Sequence, residues 1–277
     1  MPFTLARRSG SLCGAVVLAT AMLAGPALAG PIVAPDVTVA WTVSDADGTN
    51  PTSGALSTGD FGMNVSNVGG TNFNFTGADN SFSSEWGLDW NFNGNGVPTE
   101  TTPASIGSVF TISNDTEIRD EQNNIIQQGR VLRYSVLVTM ALTAPIGADA
   151  QYAGGGGFTL TGLGDDPNSP DPFVRNAALV TVPGSALWSA QINGSEVASL
   201  WPDLFGIAAT GGSISISDGI APGLSAAGAA SIGVRLEFLL TPGDTVTTSG
   251  IFAAIPAPSA LALLGVGGLL GGRRRRS

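Results

Sequence analysis

The sequence predicts an all-β chain folded as an antiparallel β-sandwich of jelly-roll type, and three observations carry that expectation. Apolar and polar residues alternate at period two through most of its length. Turn dipeptides punctuate the alternating runs: Asp47-Gly48, Asn93-Gly94, Pro183-Gly184, Asn193-Gly194 and Pro242-Gly243. Apart from one turn of helix allowed near Pro202 to Phe205, no stretch between the chain ends shows a 3.6-residue apolar stripe. About ten to twelve strands follow from this count, too many for one sheet and enough for two packed face to face.

Taken in order, Val37, Val39, Trp41 and Val43 form the apolar face of a first strand. Phe73 and Phe75 repeat the pattern after the Gly69-Gly70 turn. Trp86, Leu88, Trp90 and Phe92 make a heavy apolar face with Glu85, Asp89 and Asn91 on its reverse, and core packing is the expected use of these rings. Leu132, Tyr134, Val136, Val138, Met140 and Leu142 form the longest run, ended by Pro145. Gly154 to Gly157 reads as a turn, and Asp165 to Asp171 as an exposed loop. Ile214 and Ile216 alternate with serines. Ile232, Val234, Leu236, Phe238 and Leu240 make a late core strand with Arg235 and Glu237 outward. The stretch from Thr241 to Gly250 is a last strand or the start of a polar spacer.

Both ends carry address labels. At the N-terminus, Arg7 and Arg8 precede an apolar stretch from Leu12 to Leu23, and Ala27-Leu28-Ala29 is a small-residue cleavage site. Residues 1–29 thus read as a signal peptide, with cleavage set by Ala27 and Ala29. The only cysteine, Cys13, falls inside it, so the mature chain has no disulfide and no thiol nucleophile. At the other end, Pro256-Ala257-Pro258 leads into 16 uncharged residues, Ala257 to Gly272, followed by Arg273, Arg274, Arg275 and Arg276. As a helix that run rises about 24 Å, against a hydrocarbon core of roughly 30 Å. Ile251 to Ile255 would lengthen it. The arginines hold the C-terminus on the cytoplasmic side.

The order of proline box, apolar segment and terminal arginine cluster resembles the PEP-CTERM sorting signal. Over about 22 residues the resemblance implies recognition and processing by an exosortase-type membrane enzyme; here the middle of the box is Ala257 instead of an acid. The expected organisation is a signal peptide over 1–29, a β-sandwich ectodomain over 30–250, and a sorting and anchor segment over 251–277. The last would form a single transmembrane-type helix in the inner membrane before the protein reaches the cell surface or extracellular space.

All 21 carboxylates lie between these labels, against five arginines and no lysine, a formal charge of −16. That argues against nucleic acid and anionic lipid as partners. Histidine is absent, which removes Ser-His-Asp catalysis and the usual base near neutral pH. The best formal motif is Asp89 to Glu100, which places Asp89, Asn91, Asn93, Gly94 and Glu100 at the spacing of an EF-hand calcium loop. A strand-like approach and Pro98 at the exit speak for a plain hairpin instead. Asp45, Asp47 and Asn50, and then Asp165, Asp166 and Asp171, are two further oxygen-rich loops. No cofactor is required; calcium is the one candidate, through Asp89, Asn91, Asn93 and Glu100. Glu85 and Glu237 sit on outward faces, where sandwich-type glycoside hydrolases also place catalytic acids. The sequence does not pair any two of its 21 carboxylates, and no catalytic residue is assigned. The expected role is structural or adhesive and non-catalytic. A carbohydrate-binding module for an extracellular polysaccharide is the first alternative, and the hydrolase a lesser one.

Overall fold

In a computed structural model of the chain, alternation becomes strand wherever one side chain in two finds an apolar partner. The structure describes residues 32–79, 85–99, 102–120, 125–148, 150–162, 177–209, 212–225 and 228–256. Seventeen strands run through them: β1 (Val37–Asp45), β2 (Thr52–Ser57), β3 (Met63–Gly69), β4 (Asn72–Asp79), β5 (Trp86–Asn95), β6 (Ala104–Asn114), β7 (Ile118–Arg119), β8 (Ile125–Gln127), β9 (Leu132–Ile146), β10 (Ala150–Gly162), β11 (Ala177–Thr181), β12 (Ala186–Ile192), β13 (Ser195–Pro202), β14 (Gly206–Ala209), β15 (Gly212–Ser225), β16 (Ala229–Leu240) and β17 (Asp244–Ile255). There is no helix among the described residues, including Pro202 to Phe205.

Two antiparallel sheets hold almost all of them. Sheet A runs β13-β12-β16-β9-β1-β2, with β11 pairing β14 and the end of β16. Sheet B runs β15-β10-β17-β6-β5-β4-β3, and β7 and β8 form a separate pair. Both sheets turn one face inward, onto a single apolar core. Four consecutive strands, β3 to β6, lie side by side as a meander, a part of the topology that the jelly-roll expectation does not describe.

Tryptophan and glycine set the thickness of the core. Trp41 lies over Gly54 and Trp90 over Gly77, each ring filling the place of the side chain missing from its cross-strand partner. The two indoles meet between the sheets at 5.7 Å. Trp188 of β12 reaches across to sheet B and lies against Gly156 and Gly250. All three indole N–H groups are buried without a partner. Burying an indole contributes about 4–6 kcal/mol, which exceeds the about 1–3 kcal/mol that an unpaired buried donor costs.

This packing overturns three local expectations. Gly154 to Gly157 is no turn; it runs inside β10, flattened under Trp188. Asn93-Gly94 is likewise inside β5, because Gly94 faces the core and leaves room for Met140 of sheet A. The last strand continues to Ile255, with Phe252 and Ala254 fully buried. Residues 251–255, expected at the start of the tail segment, therefore belong to the sandwich, which ends at 255 and not at 250. Asn193-Gly194 is the expected hairpin turn, both residues having φ above zero, at 52° and 74°.

A buried asparagine latches the sheets together at one end. Asn114, at the end of β6, donates through Nδ2 to the carbonyls of Arg130 and Leu240, and its Oδ1 accepts from the N–H and hydroxyl of Thr116. Nearby, Tyr134 of sheet A donates its hydroxyl to the Ser113 carbonyl of sheet B at 2.8 Å.

Candidate functional site

Strand β5 decides the fate of the calcium motif. An EF-hand needs a loop whose oxygens converge, whereas β5 extends from Trp86 to Asn95 and sets Asp89, Asn91 and Asn93 in a row on its exposed face. Alternate residues on a strand stand about 7 Å apart. Asn91 and Asn93 are engaged by Asn74 of β4, whose Nδ2 donates to their Oδ1 atoms at 2.6 and 3.2 Å. The motif is a ladder of side-chain amides across two strands, and neither a converging loop nor a hairpin. Glu100 lies outside the described residues.

The second oxygen-rich loop is a true turn, and its carboxylates are taken. Arg130 Nε lies 2.8 Å from Asp45 Oδ1, while Asn50 donates to Asp45 Oδ2 at 2.7 Å. Asp47 accepts from the hydroxyl and the amide of Thr49, and these bonds hold its carboxyl below the ordinary range. A guanidinium inside the cluster supplies the charge a cation would otherwise bring. Asp165, Asp166 and Asp171 lie outside the described residues, as do Ala27, Ala29, Ala257, Pro258 and Arg273 to Arg276. Pro256 directly follows β17.

The aromatic row is core. Trp86, Trp90 and Phe92 are all buried, so they offer no platform on which a sugar could stack. Glu85 is half-buried and pairs with Arg130 at 2.6 Å. Glu237 lies on the outer face of sheet A, as expected, but is only 4% exposed. Arg133 Nη2 approaches its Oε1 at 2.5 Å and Arg235 Nη2 its Oε2 at 2.6 Å. Glu237 thus holds two guanidiniums in place.

A carboxylate pair for glycoside hydrolysis needs a separation of about 5–10 Å. The other acid on this face among the described residues is Glu196. It is paired in register with Gln191, which pairs with Gly233, four residues along β16 from Glu237. Strand spacing and rise put the two acids roughly 16 Å apart.

What the outer face of sheet A does assemble is a polar groove. It has a volume of about 490 Å³ and crosses β2, β1, β9, β16 and β12. Its polar lining comes from Thr42, Ser53, Ser135, Thr139, Gln191 and Arg235. Thr42 and Ser53 share a hydrogen bond at 2.9 Å. Ser135, Thr139 and Gln191 make no side-chain hydrogen bond within the described residues. Gly233 stands in register between Gln191 and Thr139, and its missing side chain leaves the middle of the face low. Alternation placed Arg235 outward; nothing local marked Gln191 as a neighbour of Ser135 and Thr139, because register across three strands, β12, β16 and β9, brings them together.

No family model and no curated protein matches this chain. Among solved structures, the structure of infectious bursal disease virus Gx strain aligns over 84% of this chain and 68% of that chain, at 13% identity and a TM-score of 0.16. A likeness that weak carries no argument.

Proposed function

We propose that this chain is an exported structural or adhesive protein of the cell surface or extracellular matrix, non-catalytic, and sorted by its C-terminal segment. The observation that carries the reading is the end of β17 at Ile255, one residue before the Pro256-Ala257-Pro258 box. The sandwich stops where the sorting signal begins, so a processing enzyme at the membrane would meet the box as the first segment after the folded domain. With Ile251 to Ile255 committed to β17, the apolar run is confined to Ala257 to Gly272. As a helix that run would rise about 24 Å, short of a hydrocarbon core of roughly 30 Å. Retention then depends on Arg273 to Arg276, since each arginine drawn through the bilayer centre costs on the order of 2.5–3.5 kcal/mol.

The test is fractionation of cells making the full chain with an epitope tag in the exposed Gly69-Gly70 turn. The parent should be found trimmed at the surface or outside the cell. A variant with all four terminal arginines changed to Ser should appear in the medium at full, untrimmed length. If it is retained and trimmed like the parent, the sorting reading fails.

A further inference from the structure

We infer that the groove on the outer face of sheet A is a binding site for an acidic saccharide. This inference rests on the matrix reading above and names the partner that such a protein would hold. The strongest observation is Gln191. Its residue is only 8% exposed and lines the groove, yet its amide makes no hydrogen bond to any described residue. The amide's polar atoms reach the water of the groove, so its donor and acceptor are both open to a ligand. A sugar hydroxyl can meet both at once.

The charge in the groove selects among sugars. Arg235 spends one terminal nitrogen on Glu237 and has no other partner among the described residues. Its side chain is 44% exposed, leaving the rest of the guanidinium fork available to a carboxylate. Arg133 and Arg235 together outweigh the one carboxylate between them, so this spot is positive on a chain whose formal net charge is −10. The unbonded hydroxyls of Ser135 and Thr139 on β9 flank the guanidinium and the amide. With no exposed aromatic ring lining it, the groove recognises its ligand by hydrogen bonds and charge. A uronate fits this set, its carboxylate on Arg235 and its ring hydroxyls on Gln191, Ser135 and Thr139. Glu196 stands exposed opposite Gln191 and, among the described residues, is the one acid near that end of the groove.

The purified full-length chain, titrated by calorimetry with polygalacturonate and with dextran as the neutral control, tests the assignment. Saturable binding of polygalacturonate is expected, weakening as salt is raised. Arg235→Gln and Gln191→Leu should each weaken it at least tenfold, and Glu196→Gln should strengthen it. Gln191→Leu keeps the size of the side chain, and an unchanged melting temperature for this variant shows that its loss of binding cannot be charged to misfolding. The inference is overturned if polygalacturonate does not bind, if dextran binds equally well, or if neither Arg235→Gln nor Gln191→Leu changes the affinity. Because these variants leave the tail intact, failure here is distinguishable from failure of the sorting reading.

Discussion

Gly77 and Trp90 face each other across one rung of sheet B, and a Cβ at Gly77 would come within 2.4 Å of Trp90 Cζ2 and 2.7 Å of the Gly62 carbonyl. Neither can yield cheaply, so Gly77→Ala should destabilise the fold by about 1–3 kcal/mol. Trp90→Phe in the same chain should recover part of that loss, and a double-mutant cycle by urea melting reads the coupling. A second residue governs behaviour in alkali. Burial pushes the Tyr134 phenol well above its ordinary value, and the charge of Asp115 adds to the shift. Above about pH 10 the unfolded chain loses this proton while the folded chain keeps it. The unfolded state then binds fewer protons, and stability falls as pH rises through that range. Tyr134→Phe should flatten the decline between pH 9 and 11. At neutral pH it should cost about 1 kcal/mol, through loss of the bond to Ser113.

At the scale of elements, Asn114 shows how strands of different sheets are tied. Its side chain satisfies two carbonyls and receives two donors at full burial. Asn114→Leu keeps the volume but strands those groups, and should cost about 3 kcal/mol or more by the same measurement. Strand β5 makes the contrasting case, in which a motif match dissolves. Asp89, Asn91 and Asn93 point outward in a row, and Asn74 crosslinks the amides. Millimolar calcium should therefore give the same melting temperature for the parent and for Asp89→Ala. A calcium-induced rise that Asp89→Ala abolishes would restore a cation site there.

Across the whole molecule, β17 is central in sheet B, between β10 and β6, although it is the last strand among the described residues. A chain stopped at Gly250 loses Phe252 and Ala254 from the core and strips the end of β10 of its neighbour. It should fail to fold, as read by near-ultraviolet circular dichroism and protease resistance. A chain stopped at Pro256 keeps every described strand and should fold. Removal of the tail at the proline box would thus release an intact sandwich, whereas a chain six residues shorter would not fold.

Residue alternation by itself determined that this chain is built of strands and which residues face inward. The apolar faces of β1, β5, β9 and β16 were legible because a side chain's face depends only on its own strand. The same holds for Glu237, whose outward side was legible while its burial beneath Arg133 and Arg235 was not. Composition, too, was a property of the sequence alone: no histidine, no cysteine beyond Cys13 and an acidic stretch between the two ends. Tertiary structure decided everything that depends on what lies opposite. Glycine signals a turn when nothing faces it, but Gly94 and Gly156 sit inside strands because Met140 and Trp188 of the other sheet occupy the space they leave. The groove has the same origin. Gln191 and Thr139 lie far apart in the chain and meet only through the pairing of β12 with β16 and of β16 with β9. Register between strands is set by packing over the whole core, and no local pattern encodes it.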